Sequence, residues 1–221
     1  MVTSKASLSL NPLSTALIMI DMQNDFAHPE GFYGRFGLPI SGFNAAAVLN
    51  SITSMQKLLT AARGAGMFVV HTRIVRESFL NSGLRRHKVV PQSFDGASGR
   101  PVPLLAGSWG CDTIDELKPV DGEYILAKQG YSAFYGTPLE EVLRRQGIDT
   151  LVLAGTVTYA CVLHTAFDAY VRDFDVVAAS DGIASWVPDL QQPALRIMEL
   201  LVGAVVPIDG IVASLELSQV T

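Results

Sequence analysis

Six short runs of apolar, often β-branched residues punctuate this chain, and most are separated by longer segments with helical character. The runs fall at 16–20, 67–72, 124–127, 150–154, 175–179 and 204–208. Each is apolar almost throughout instead of alternating in polarity, which is the pattern of a strand covered on both faces. Helical segments read at 43–65, 138–145, 161–172 and 188–201, with a short one at about 211–217. Thr137-Pro138-Leu139-Glu140 has the form of a capping box with proline at the first helical position. Strands alternating with helices predict an α/β fold: a doubly wound parallel sheet with helices on both faces. No internal repeat, low-complexity tract or linker interrupts the 221 residues, so a single domain is expected over 1–221.

Bulk composition removes several function classes. Hydrophobic residues make up 49% and charged residues 17%, a globular balance with no mark of disorder. A net charge of -5 speaks against non-specific nucleic-acid binding, which needs a basic surface. The stretch 1–12 is polar and Ser-rich and reads as no secretory leader. The most apolar C-terminal stretch, 200–217, is broken by Gly203, Pro207, Asp209 and Gly210, so no membrane span is expected. Two cysteines, Cys111 and Cys161, are too few for a disulfide framework and match no zinc ribbon, which suits a reducing, cytoplasmic compartment. The long irregular stretch 73–108 contains the basic cluster Arg85-Arg86-His87-Lys88, readable as a solvated face or as a lid or oligomer contact.

In open α/β sheets, ligands bind beyond the carboxyl ends of the strands. Asp21 directly follows the first run, with Asp25 and Phe26 close behind. Lys128 directly follows the third run, and Cys161 lies between the fourth run and the next helix. Alone, such an aspartate is an ordinary turn former, such a lysine an ordinary snorkelling side chain and such a cysteine ordinary core. Cys111 is given that last reading. Together the other three supply the parts of a thiol hydrolase. Only a thiolate attacks, and a helix N-terminus at Cys161 with the Lys128 ammonium would lower the thiol pKa. Asp21 can take the thiol proton and later return it to a leaving amine. Backbone amides of Val157 and Cys161 are candidates for an oxyanion hole. A Gly-x-Gly-x-x-Gly turn, which a dinucleotide-binding enzyme would place after the first strand, is replaced here by Asp21-Met22-Gln23-Asn24-Asp25.

The segment Leu17-Ile18-Met19-Ile20-Asp21-Met22-Gln23-Asn24-Asp25-Phe26 resembles the opening motif of the isochorismatase-like cysteine hydrolases. Lys128-Gln129-Gly130-Tyr131-Ser132-Ala133-Phe134 resembles their lysine motif. Gly107-Ser108-Trp109-Gly110 is similar to their central loop, and residues 155–162 to their nucleophile motif. The likeness covers about 15–207. It implies a six-stranded parallel sheet, a homodimer or homotetramer and an Asp21–Lys128–Cys161 triad. It also implies a cis peptide at Thr156–Val157, where valine stands in place of an often smaller residue.

Within that family, Cys161 points to the amidases. Nicotinamidases carry an Asp-x-His plus second His metal site after the first motif, whereas 31–41 of this chain contains no histidine. His28, His71, His87 and His164 show no ligand spacing, and His71 reads as structural. No metal and no cofactor are therefore expected. The resemblance then implies a small amide substrate of the ureido or carbamoyl type, or a nicotinamide or maleamate-like amide. A catalytically silent binding module is the rival from another class. Phe26, Trp109, Tyr131 and Phe134 are candidate pocket walls, and Arg35, Arg73 or Arg76 are candidates to pair with a substrate carboxylate.

Overall fold

A computed structural model describes residues 8–78 and 101–218. The cluster Arg85-Arg86-His87-Lys88 lies outside the described residues, as does most of the irregular stretch that contains it. Each apolar run forms a strand: β1 Thr15–Ile20, β2 Phe68–Ile74, β3 Tyr124–Lys128, β4 Thr150–Thr156, β5 Asp175–Ala184 and β6 Ala204–Val206. They make one six-stranded sheet in the order β3-β2-β1-β4-β5-β6, parallel throughout. Every residue of β1 is buried. Each large aliphatic side chain buried this way is worth about 1.5–3 kcal/mol, so the middle of the sheet is also the centre of the core.

The helices are α1 Asn24–Ala27, α2 Phe32–Phe36, α3 Ile52–Gly64, α4 Leu139–Arg145, α5 Leu163–Tyr170, α6 Gln191–Leu201 and α7 Ile208–Ser218. Helix α3 packs with α7, and α5 packs with α6, each pair also touching the sheet. Right-handed crossovers running in opposite directions from β1 and from β4 put these pairs on opposite faces. The three-layer α/β architecture expected from the sequence is present.

Several details differ from expectation for identifiable reasons. The helix read at 43–65 divides into a 3-10 segment, Ala45–Ser51, and α3. Only Val48 of that first segment is buried, so no apolar stripe holds it in an α-helix. The capping box does not form. Thr137 donates its hydroxyl to the Ala133 carbonyl at 2.5 Å, and Glu140 pairs with Arg172 at 3.1 Å instead of turning back. Strand β5 runs beyond the apolar run at 175–179 to Ala184 through Ser180-Asp181-Gly182, with an irregularity in its pairing with β4. Strand β6 stops before Pro207, whose missing N–H cannot extend the ladder.

Candidate active site

The strand order reverses between β1 and β4, since β2 and β3 extend to one side and β5 and β6 to the other. Such a switch point leaves a crevice beyond the carboxyl ends of the two strands. Two features bring the chain close together there. Ile20, the last residue of β1, is in register with Gly155 of β4 and Thr72 of β2. A Cβ on Gly155 would lie 2.1 Å from the Ile20 carbonyl oxygen, and its φ of 120° is open only to glycine. The next peptide, Thr156–Val157, is cis. The chain then enters a π-helical turn, Thr158–Val162, which leads directly into α5 and carries Cys161.

Asp21 leaves β1 in the left-handed region, φ 51°, a conformation aspartate tolerates better than most residues. Its amide hydrogen-bonds Thr72, and the Thr72 hydroxyl donates to Asp21 Oδ1 at 2.6 Å. Lys128 ends β3, two strands away from β1, a separation of roughly 10 Å at ~4.8 Å per strand. Its long side chain spans the intervening strand β2, and the ammonium reaches Asp21 Oδ2 at 2.7 Å. The same nitrogen donates to the carbonyls of Gly130 at 2.8 Å and Tyr131 at 3.0 Å. An ammonium has three hydrogens, which these three acceptors and the nearby Cys161 sulfur share. Burial pulls the Lys128 pKa down, but Asp21 and Cys161 more than offset it, and the net direction is upward. Lys128 is a fixed cation.

The Cys161 thiol lies within hydrogen-bonding reach of both Asp21 and Lys128. The structure thus gathers Asp21, Lys128 and Cys161 into one buried cluster, at 0%, 2% and 4% exposure. One expectation needs correcting here. Lys128 does favour the thiolate, but burial opposes it more strongly and Asp21 adds to the opposition, so the thiol pKa is raised. Burial thus favours the thiol form of the resting sulfur.

The other candidates separate. Tyr131 stands at the cluster: its carbonyl holds Lys128, its ring lies 5.3 Å from that of His164, and burial followed by the neighbouring sulfur raises its phenol pKa. Val157 is buried at the entry to the π-helical turn that carries Cys161. Phe26 is buried in an aromatic group with Tyr33 and Trp186, its ring stacked 5.3 Å from Tyr33. Trp109 is half exposed and meets the ring of His28 edge-on at 5.0 Å, with its carbonyl held by Asn24. Phe134 is not a pocket wall. The Ala133 amide is tied to Thr165 on α5, which carries the chain down that helix, and Phe134 packs 5.8 Å from Phe174. Phe174 precedes β5 at the other end of the sheet. Arg35 is exposed with its guanidinium over Phe36, and Arg73 is engaged by Asp112 at 3.2 Å and Thr113 at 3.0 Å. Arg76 is buried beside Tyr33.

Several supporting residues escape a reading by residue type. Gln23 binds the Ile74 amide and the carbonyls of Ile74 and Cys111, closing the strand end like a plug. Asp25 accepts from the amides of Phe32 at 2.9 Å and Leu104 at 2.6 Å. Thr158 donates to Gln191 at 2.5 Å, and Gln191 donates to the Ile183 carbonyl, pinning the turn that carries Cys161 to α6 and β5. Gln23 and Asp25 fall inside the opening motif and were detectable there. Nothing local marks Thr72, Trp186 or Gln191. Cys111 is buried with a raised pKa, as an inert core thiol should be, and His71 is bound to Glu123 at 2.9 Å. Among the described residues, no group of three or more His, Cys, Asp and Glu side chains is placed to hold a metal ion. No helix among them is long and apolar enough to cross a membrane.

An α/β sheet with an acid, an amine and a thiol at its switch point defines a class of protein, and comparison identifies the family. The isochorismatase domain matches residues 15–209, and the chain belongs to that family. Among solved structures, a cysteine hydrolase from Pseudomonas syringae pv. phaseolicola is similar at 26% identity and a TM-score of 0.82, covering 99% of this chain and 100% of that one. An N-carbamoylsarcosine amidase from Thermoplasma acidophilum is similar at 28% identity and TM-score 0.68, over 89% of this chain and 97% of that one. A nicotinamidase from Bacillus subtilis is similar at 29% identity and TM-score 0.68, over 87% and 98% respectively.

Proposed function

We propose that this protein is a cysteine-dependent amidohydrolase that cleaves the C–N bond of a small ureido or carbamoyl amide. The observation that carries the reading is the convergence of Asp21, Lys128 and the Cys161 thiol in one buried cluster at the sheet's switch point. Likeness to a cysteine hydrolase and to an N-carbamoylsarcosine amidase supports the same chemistry.

In this reading, Asp21 takes the proton of Cys161 as the sulfur attacks the substrate carbonyl carbon, forming a C–S bond and a tetrahedral oxyanion. The amides of Val157 and Cys161 receive that oxyanion. Collapse breaks the C–N bond, and Asp21 returns the proton to the departing nitrogen as ammonia or an amine. Water then attacks the thioester-like intermediate while Asp21 accepts its proton. The C–S bond breaks and the sulfur recovers a proton. Lys128 keeps the sulfur and the carboxylate beside a constant positive charge throughout, which stabilises the thiolate only while it exists.

The mechanism requires no metal or other cofactor, and the active form is expected to be a homodimer or homotetramer. Ammonia release should be measured on N-carbamoylsarcosine, ureidoacrylate, biuret, triuret, maleamate and nicotinamide, with and without a chelator. Cys161→Ser is expected to lower turnover on the order of a thousandfold or more while leaving the circular dichroism spectrum unchanged. Undiminished ammonia release by that variant would falsify the cysteine mechanism. Loss of activity on chelation would contradict metal independence, and light scattering reads the assembly state directly. No turnover of any amide by the unmutated protein would favour a catalytically silent binding module.

A further inference from the structure

Arg76 occupies an unusual position for a cation. It is only 9% exposed, and it follows directly on Val75, whose amide hydrogen-bonds the Lys128 carbonyl at 3.1 Å. It therefore leaves the sheet beside the end of β3, next to the cluster. Its backbone is clamped on both sides, donating to the Leu104 carbonyl and accepting from the Ala106 amide. Its side chain donates to the Pro103 carbonyl at 3.1 Å and hydrogen-bonds the buried phenol of Tyr33. A guanidinium has five N–H donors in a fixed fork, and these contacts use only part of it.

The charge bookkeeping among the described residues sets Arg76 apart. Lys128 is bound to Asp21, Arg63 to Glu123, Arg73 to Asp112 and Arg172 to both Glu140 and Asp168. Arg76 is the buried cation with no carboxylate within ion-pair distance among the described residues. A buried charge without a counter-charge is costly, and a preorganised fork of this kind matches a carboxylate in two-point geometry. Tyr131 connects this position to the reacting sulfur, since its phenol lies within electrostatic reach of both Cys161 and Arg76.

We propose that Arg76, held by Pro103 and Tyr33 beside the end of β3, anchors a carboxylate on the substrate while Cys161 attacks the amide at the other end. This rests on the amidohydrolase reading and narrows it: the preferred substrates are small amide or ureido acids, not neutral amides. Arg76 acts on binding and orientation and takes no part in proton transfer.

The test uses two matched pairs of probes, N-carbamoylglycine with its methyl ester and succinamate with its methyl ester, followed by ammonia release. For the unmutated protein, kcat/KM is expected to favour each acid over its ester by on the order of 30-fold, the size of one charge-assisted anchor. Arg76→Gln should remove that preference by lowering turnover of the acid while changing the ester less than about threefold. Arg76→Lys keeps the charge without the fork and should recover part of the preference. Equal losses on acid and ester in Arg76→Gln, or a preference that survives it, would overturn the anchor. If Arg76→Gln does not fold, the unmutated protein still decides, because an acid-to-ester ratio near or below one overturns the inference. Turnover confined to neutral amides overturns the anchor but leaves the amidohydrolase intact, whereas absence of turnover on every amide removes both.

Discussion

At the scale of single residues, the Asp21–Lys128 pair is fully buried and held by short hydrogen bonds on both partners. Removing one member of such a pair leaves an uncompensated charge and typically costs about 3–5 kcal/mol. Lys128→Met should therefore lower the urea midpoint severely, while Asp21→Asn combined with Lys128→Met should be less destabilised than the sum of the single changes. Strict additivity in that double-mutant cycle would show that the two groups do not interact. The sulfur makes a separate expectation. Because burial raises the Cys161 pKa, iodoacetamide should alkylate it more slowly at pH 7 than a free thiol, with a rate still climbing above pH 9. A labelling rate that has already levelled off at neutral pH would mean the thiolate is preformed. The side-chain types of Asp21, Lys128 and Cys161 were legible from their places after apolar runs. The protonation state of the sulfur was not, because it depends on how much water three strands and a turn exclude together.

At the scale of elements, the turn that carries Cys161 is shaped by its neighbours more than by its own residues. Gly155 allows β4 to pass against the Ile20 carbonyl, and a methyl group there would require the two strands to separate at the point where Asp21 and Cys161 must meet. Gly155→Ala is expected to cost several kcal/mol, on the order of 3 or more, through backbone clash and positive φ together. Thermal denaturation reads this directly, and a melting temperature within a degree or two of the unmutated protein would refute the close approach. Gln191 is the contrasting case, distant in sequence yet bonded to Thr158. Gln191→Leu leaves the Thr158 hydroxyl and Ile183 carbonyl without that partner, a loss of about 1–3 kcal/mol. It should lower kcat more than it raises KM, since it loosens the turn carrying the sulfur. The failed capping box teaches a similar lesson: Glu140 has the right spacing, but Arg172 on the adjoining chain segment offers it a full opposite charge.

For the molecule as a whole, the cluster of His71, Glu123 and Arg63 on and beside β2 contributes to stability against acid. His71 is buried on β2 and its pKa is lowered, chiefly by burial and against the pull of Glu123. The unfolded chain thus takes up the proton more readily than the native one below the ordinary value of 6.5. The contribution of His71 is present above pH 6.5 and is lost as pH falls towards and through its native pKa. Melting temperature should fall as pH drops from 6.5, and His71→Gln should flatten that part of the curve. Unchanged pH dependence in the variant would place the acid sensitivity elsewhere.

What the sequence determined by itself was the kind of fold and the residue types of the buried cluster at the switch point. Apolar runs bounded by turn residues predict strands covered on both faces, as β1 is, although the edge strands β3 and β6 stay partly exposed, and in such sheets ligands bind just beyond the strand ends. What only the tertiary structure decided was which side chains face one another. Strand order placed Lys128 across β2 from Asp21, the tie from Ala133 to Thr165 drew Phe134 away to the foot of α5, and burial raised the pKa of Cys161. Those outcomes depend on neighbours up to more than a hundred residues away along the chain, where periodicity and local propensity carry no information.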